Sequence, residues 1–401
     1  MTTAADVLAR CDRLGEISEE PGRLVRRYAT PAMREANDLV AGWMRDAGLA
    51  VREDAVGNLI GRREGGERTL VLGSHLDTVL DAGRYDGPLG VMAGIALAER
   101  FWDRAFPFAL EVVAFADEEG ARYGTTFLGS SAMAGRFAPA WLRLRDEHGI
   151  VMADALRDFG GDPEHVGSAA RAPGELLAYV ELHIEQGPVL ERRGAPVGVV
   201  TAITGQTHAD VGFVGQAGHA GTVPMDGRRD AFAAAAEWAL AVERVARRQG
   251  GLVATVGHVA VEPGARNVIP GRAQLSLDVR HGSDAVRREA IAALRGHAQR
   301  IADVRGITLD WDARGETAAV PTSTELCERL SDAVRGADAG EPELLPSGAG
   351  HDGVAVSAIA PVAMLFVRCE GGISHNPAEA VAESDVAVAL DVLERFVGDL
   401  A

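Results

Sequence analysis

The stretch Leu70-Val71-Leu72-Gly73-Ser74-His75-Leu76-Asp77-Thr78-Val79, with Tyr85-Asp86-Gly87 a few residues on, decides the reading of this chain. Its first three residues form an unbroken apolar run, read as a strand buried on both faces. That strand delivers a histidine and two carboxylates into the loop beyond it. An open α/β sheet gathers its ligands at the C-terminal ends of its strands. A metal site is the first hypothesis for such a loop, and the question is whether other strand ends supply further ligands.

Three do. The apolar run Phe108 to Phe115 breaks off in Asp117-Glu118-Glu119-Gly120, Leu176 to Leu182 runs into His183-Ile184-Glu185-Gln186-Gly187, and Val362 to Val367 leads to Gly371-Gly372-Ile373-Ser374-His375-Asn376-Pro377. Singly, each has a plain structural explanation: an HxD pair caps a loop, and a Glu-Glu pair after a strand is a polar turn. What points to chemistry is that His75 with Asp86, Glu118 with Glu119, His183 and His375 all fall at the same expected edge of one sheet. Imidazole and carboxylate without thiolate suits zinc or manganese, with cobalt and nickel also compatible, in a hydrolytic site. One aspartate shared by two ions is a common layout for such sites.

The bulk properties fit a globular enzyme. The 401 residues suffice for two domains, and 47% hydrophobic with 24% charged residues is ordinary. A net charge of −18, from 40 basic and 58 acidic residues, argues against a nucleic-acid partner. The cysteines Cys11, Cys327 and Cys369 are far apart, which disfavours a disulfide framework or a thiolate zinc site. No signal peptide is visible at the N-terminus, and no apolar run approaches the ~18 residues that span a bilayer. A soluble, cytoplasmic protein without a membrane partner is expected.

Strands and helices alternate through the first half, which implies an α/β fold with a mostly parallel or mixed sheet. Helical periodicity covers roughly Ala4 to Gly48. The character changes near Thr201. An alternating strand at Val211 and Phe213, an Ala-rich helix from Arg228 to Arg248, a strand from Leu252 to Val261, a strand carrying Leu275, Leu277 and Val279, a helix from Asp284 to Val304 and a strand at Ile307 to Trp311 follow in order. That succession, β-α-β-β-α-β, is the ferredoxin-like pattern. The expected organisation is a catalytic, metal-binding domain formed by 1–202 and 317–401, interrupted by a domain at 203–316. Arg280 lies on the polar side of its strand, from which a guanidinium can clamp a carboxylate through two hydrogen bonds.

The segments GSHLDTV, YDGPLGV, DEEG, ELHIEQGPVLE, GQAGHAGTVPM, ARNVIPG, SGAGHD and GGISHNPAE, in that order, resemble the M20 metallopeptidase family. HIEQGPVLE and SGAGHD are similar to its amidase/carbamoylase branch, which contains allantoate amidohydrolases, N-carbamoyl-L-amino-acid hydrolases and β-ureidopropionases. The resemblance implies an M20-type catalytic domain with an inserted dimerisation and lid domain, a homodimer, and two divalent metal ions per subunit. It assigns His75 and His183 to one ion, Glu119 and His375 to the other, and Asp86 to both. Asp77 would orient the ring of His75, and Glu118 would be the general base that moves a proton from water to the leaving nitrogen. From the inserted domain, His219 would stabilise the oxyanion, and Asn267 and Arg280 would bind substrate. Gln206 and Gln186 are candidate polar groups of the pocket. His351 either lines that pocket or supports its loop. His208 stands where allantoate-specific members carry arginine and carbamoylases often carry tryptophan, so it bears on which ureido acid is used. The implied reaction is hydrolysis of the terminal carbamoyl group of a ureido acid to ammonia and carbon dioxide. Allantoate is the first candidate, N-carbamoyl-L-amino acids the second, and a dipeptide more remote, as is a metal-binding dimer without catalysis.

Overall fold

The structure, a computed structural model, describes residues 2–401. Its strands, in chain order, are β1 (Ala50–Glu53), β2 (Leu59–Arg63), β3 (Thr69–His75), β4 (Ala109–Phe115), β5 (Leu176–Ile184), β6 (Val197–Ile203), β7 (Gly205–Val214), β8 (Gly218–His219), β9 (Val253–Thr255), β10 (Val259–Glu262), β11 (Val268–Ile269), β12 (Arg272–His281), β13 (Thr308–Thr317), β14 (Val320–Pro321), β15 (Glu343–Ser347) and β16 (Val362–Val367). The chain divides into two compact units: residues up to Thr201 together with Thr322–Ala401, and the continuous segment Ala202–Pro321. No helix among the described residues is long and apolar enough to cross a membrane.

The larger unit is built on a mixed sheet in the order β1-β2-β4-β3-β5-β16-β6-β14, with β15 also paired to β6. Its centre is parallel: β3 pairs in parallel with β4 and with β5, and β5 with β16. The flanking strands are antiparallel, β1 on β2, β2 on β4 and β6 on β16. Every residue of β3, β4 and β16 is buried, as expected of apolar runs covered on both faces. Because β4, β3, β5 and β16 point the same way, their C-terminal ends open on one edge of the sheet. The topology therefore brings together loops that are far apart in sequence.

The helical stretch expected over Ala4 to Gly48 is two helices, Ala4–Gly15 and Pro31–Asp46. Between them lies Pro21, which cannot donate to a helical ladder, and Gly22, at φ +80°. The linker is not idle, since it carries the fully buried Arg26.

The smaller unit contains an antiparallel sheet in the order β10-β12-β7-β13. The helices Ala231–Arg248 and Asp284–Arg305 complete the β-α-β-β-α-β succession. Ala209, Val211, Phe213, Leu275, Leu277 and Val279 face these helices and pack with Trp238 and Leu294 into one core. The Trp238 indole N–H donates to Leu294 O at 3.0 Å, so its one polar atom is satisfied inside that core. Two details depart from the sequence expectation. The strand read as Leu252 to Val261 is two strands, β9 and β10, which pair with different parts of β12 on either side of Gly257. A separate ladder, β8 with β11, sets His219 opposite Val268.

Candidate metal centre

His75 ends β3, His183 is the penultimate residue of β5, Glu118 and Glu119 follow β4, and His375 follows β16. Asp86 sits at their centre. Its Oδ1 lies 3.7 Å from His75 Nε2 and 3.1 Å from His183 Nε2. Its Oδ2 lies 3.3 Å from His375 Nε2, which in turn is 3.5 Å from Glu119 Oε1. The two carboxylate oxygens thus face two different ligand groups, His75–Asp86–His183 and Asp86–Glu119–His375, each spaced to hold one ion.

The rings are set for metal binding. His75 Nδ1 is 3.0 Å from the main-chain oxygen of Asp77, and His183 Nδ1 is 3.0 Å from that of Ile184. A carbonyl accepts only, so each Nδ1 carries a proton, and Nε2 is the nitrogen whose lone pair turns inward when the ring is neutral. His183 Nε2 is buried without a hydrogen-bond partner, and its approach to Asp86 is too poorly aligned to be one. A buried, unpartnered imidazole nitrogen beside a carboxylate oxygen is the geometry of two ligands around a shared cation. The donor set therefore fits two divalent ions of the zinc or manganese kind.

Several supports were not foreseen. The Asp77 carboxylate, whose Oδ1 lies 3.4 Å from His75 Nδ1, also holds the loop after β4: Oδ1 accepts from Glu118 N and Oδ2 from Glu119 N, both at 3.0 Å. Behind it, the buried Arg26 donates to Leu76 O at 2.8 Å, to Leu14 O at 2.7 Å and to Ile17 O at 3.1 Å, which pins the loop after β3 to the N-terminal linker. Glu379 Oε1 accepts from Tyr85 N at 2.8 Å and Asp86 N at 3.1 Å. Ser374 Oγ and Gln186 Nε2 both donate to Asp86 Oδ2, at 2.7 and 2.8 Å. Gln186 and His375 are non-glycine residues at φ 57° and 54°, the kind of local strain that collects at functional sites. At Gly87, φ +86°, a Cβ would come within 2.5 Å of the His75 ring, so glycine is required where this turn meets the ligand.

The electrostatics of the protein groups follow from crowding. Burial pushes the Glu118 carboxyl well above the usual range, opposed in part by His75. Burial likewise raises Glu119 to about 7. Asp86 behaves oppositely: burial would raise it, but the His183 and His375 rings beside it hold it well below the ordinary value. Burial works against a charged His75, yet the adjacent Asp77 outweighs it and raises the ring's pKa. A carboxyl that prefers its proton beside one that stays ionised is an acid–base division of labour.

Of the remaining expected residues, His351 is buried, with Nε2 2.8 Å from Ser347 Oγ and its ring edge-on to His183 at 4.5 Å. The Ser347 contact ties His351 to the loop after β15, and the ring contact sets it beside His183. The others belong to the smaller unit. His219 is exposed, and its Nδ1 accepts from Gly221 N at 3.0 Å, which leaves the proton of the neutral ring on Nε2. Asn267 is exposed, its main-chain oxygen accepting from Ala220 N at 2.9 Å. Gln206 and Arg280 are direct cross-strand partners, as are His208 and Asp278.

A mixed α/β sheet that gathers imidazoles and carboxylates at one edge defines a metal-dependent hydrolase. Residues 71–399 match the model of peptidase family M20/M25/M40. The N-carbamoyl-L-amino acid amidohydrolase of Geobacillus stearothermophilus is 45% identical over 399 residues, covering 98% of this chain and 97% of that one. The allantoate deiminase of Arabidopsis thaliana is 39% identical over 427 residues, covering 97% and 81%. A crystal structure of an amidase of the hydantoinase/carbamoylase family from Burkholderia multivorans superposes with a TM-score of 0.91 at 32% identity, covering 99% and 98%. The chain belongs to the peptidase family M20/M25/M40, in its amidase/carbamoylase branch, and is an amidohydrolase.

Proposed function

We propose that this enzyme removes the terminal carbamoyl group of a ureido acid, with two divalent ions held by His75, Asp86, Glu119, His183 and His375. The observation that carries the reading is Asp86, whose two oxygens face two separate ligand groups. Ions bound there, zinc or manganese first and cobalt or nickel as alternatives, would polarise a carbonyl and acidify water. Glu118 accepts a proton from the attacking water and returns it to the leaving nitrogen; its raised pKa suits the return of the proton, and cations bound beside it would favour the ionised form that accepts it. Asp77 keeps Glu118 and Glu119 in register through their main-chain N–H groups. His219, with its proton on Nε2, donates to the oxygen that gains charge. Arg280 takes the substrate carboxylate, with Asn267, Gln206 and His208 as further polar contacts. One water is consumed, the carbamoyl C–N bonds break, and ammonia, carbon dioxide and the free amine leave.

Allantoate and N-carbamoyl-L-amino acids share this skeleton of a carboxylate beside a terminal ureido group. The sequence between Val197 and Pro224, apart from His208, favours allantoate, whereas the 45% identity to an N-carbamoyl-L-amino acid amidohydrolase favours the second reading. The deciding experiment is ammonia release by the metal-loaded enzyme from allantoate, N-carbamoyl-L-amino acids, N-carbamoyl-β-alanine and dipeptides side by side. Turnover confined to dipeptides refutes the proposal.

We also read the segment Ala202–Pro321 as the lid and dimerisation domain. The edge strand β10 and the helix Ala231–Arg248 expose Phe232, Leu240 and Val259 around an apolar groove. A second copy of this chain, adding its own β10 edge in antiparallel, would cover that groove. The three cysteines are free, which suits the reducing cytoplasm expected for the protein.

A further inference from the structure

Cross-strand pairing in the smaller unit creates a two-by-two array of polar side chains. Gln206 faces Arg280 and His208 faces Asp278 across β7 and β12. The residues that alternate with them, Ala209, Leu277 and Val279, are buried against the helices, so the array occupies the opposite face of the sheet. On the other side of β7, Gly315 stands opposite His208 at a bulge in β13 and brings no side chain against the ring.

Asp278 is the hub of this array. Arg280 Nε lies 3.1 and 3.2 Å from its two carboxylate oxygens, and Arg280 Nη2 lies 2.8 Å from Oδ2. His208 Nε2 is 3.3 Å from the same Oδ2. Asp278 therefore takes the Nε edge of the guanidinium and fixes its plane. Burial would raise the pKa of this carboxyl, but the Arg280 guanidinium holds it below the ordinary value, so it is an anion at neutral pH.

We propose that Asp278 is a specificity-determining residue that selects against ureido acids carrying a second negative charge. The inference rests on the reading of Arg280 as the contact for the substrate carboxylate. A ureido acid with one carboxylate meets an arginine held in a fixed plane, and its uncharged N–H groups meet an acceptor at Asp278. A substrate whose side chain bears another carboxylate sets like charges against each other where part of the water has been displaced.

The test uses N-carbamoyl-L-asparagine and N-carbamoyl-L-aspartate, which differ only by an amide in place of a carboxylate. Apparent affinity is read on the metal-loaded enzyme, as KM where the compound is hydrolysed and as an inhibition constant against the fastest ureido substrate where it is not. The wild-type protein is expected to favour the asparagine compound by at least roughly tenfold. Asp278→Asn should reduce that preference to about twofold or less, through the aspartate compound's KM rather than kcat, while Asp278→Glu should retain it. Because the ratio compares two ligands of one protein, partial unfolding or incomplete metal loading cancels. A preference absent from the wild type, or unchanged in Asp278→Asn, overturns the proposal, as does failure of both compounds to bind. If ureido compounds are hydrolysed but the preference does not move, this inference falls alone. If no ureido compound releases ammonia, the functional reading falls with it.

Discussion

Asp86 and Glu118 are both buried carboxyls of the same site, yet their surroundings push them in opposite directions. Asp86 is held ionised by the histidines around it, whereas burial favours the proton on Glu118. Glu118→Gln keeps the shape of the side chain but removes the base. It is expected to lower kcat by about a thousandfold while both ions remain bound, which combined kinetics and elemental analysis will check. The charge pattern also sets the pH response of the chelated protein. Glu119, raised by burial to about 7, keeps its proton when folded after the unfolded chain has lost it. Its contribution to stability is therefore lost as pH rises through 7. His75, His183 and His375 are raised as well, so their contribution is complete below the ordinary histidine value and declines above it, in the same direction. Asp86, with a lowered pKa, acts only in acid. Urea midpoints of the chelated protein should fall between pH 5.5 and pH 8, and divalent metal should abolish the fall. A midpoint that rises with pH would contradict this reading.

The elements hold this chemistry through turns more than through strands. The loop after β3 is gripped from three sides, by Arg26, by the main chain of Glu118 bonded to its Asp77, and by Glu379. Gly87→Ala places a methyl group at the His75 ring in a backbone conformation unfavourable to alanine. It should cost about 2 kcal/mol of stability and weaken metal binding, measured by urea unfolding and by competition with a chelator. These supports mark the limit of what the sequence discloses. The candidate ligands were legible because histidines and carboxylates followed apolar runs, a pattern local to each strand end. Glu379 was not, because its partners Tyr85 and Asp86 are nearly three hundred residues away and a glutamate four residues after a histidine has no signature of its own. Arg26 was hidden in a stretch read as continuous helix. Asp278 was overlooked beside Arg280, since only the pairing of β7 with β12 shows that it also meets His208.

At the scale of the whole molecule, the order of strands explains why residues from four loops form one site: the parallel strands β4, β3, β5 and β16 end together. The β-α-β-β-α-β unit was legible from alternation and helical periodicity, whereas the β8–β11 ladder that carries His219 was too short to give a signal. If the edge of β10 and its neighbouring helix form the dimer contact, Leu240→Glu should convert a dimer to a monomer in sedimentation while leaving the metal content unchanged. A dimer that persists would place the interface elsewhere. The claim on which the mechanism depends is that one aspartate joins two ion sites. Its most direct measurement is the number of divalent ions bound per chain, by elemental analysis of the reconstituted protein and of Asp86→Ala, with folding checked by circular dichroism. The account predicts two ions in the wild type and loss of both in the folded variant. A single ion in the wild type, or two retained without Asp86, would contradict it.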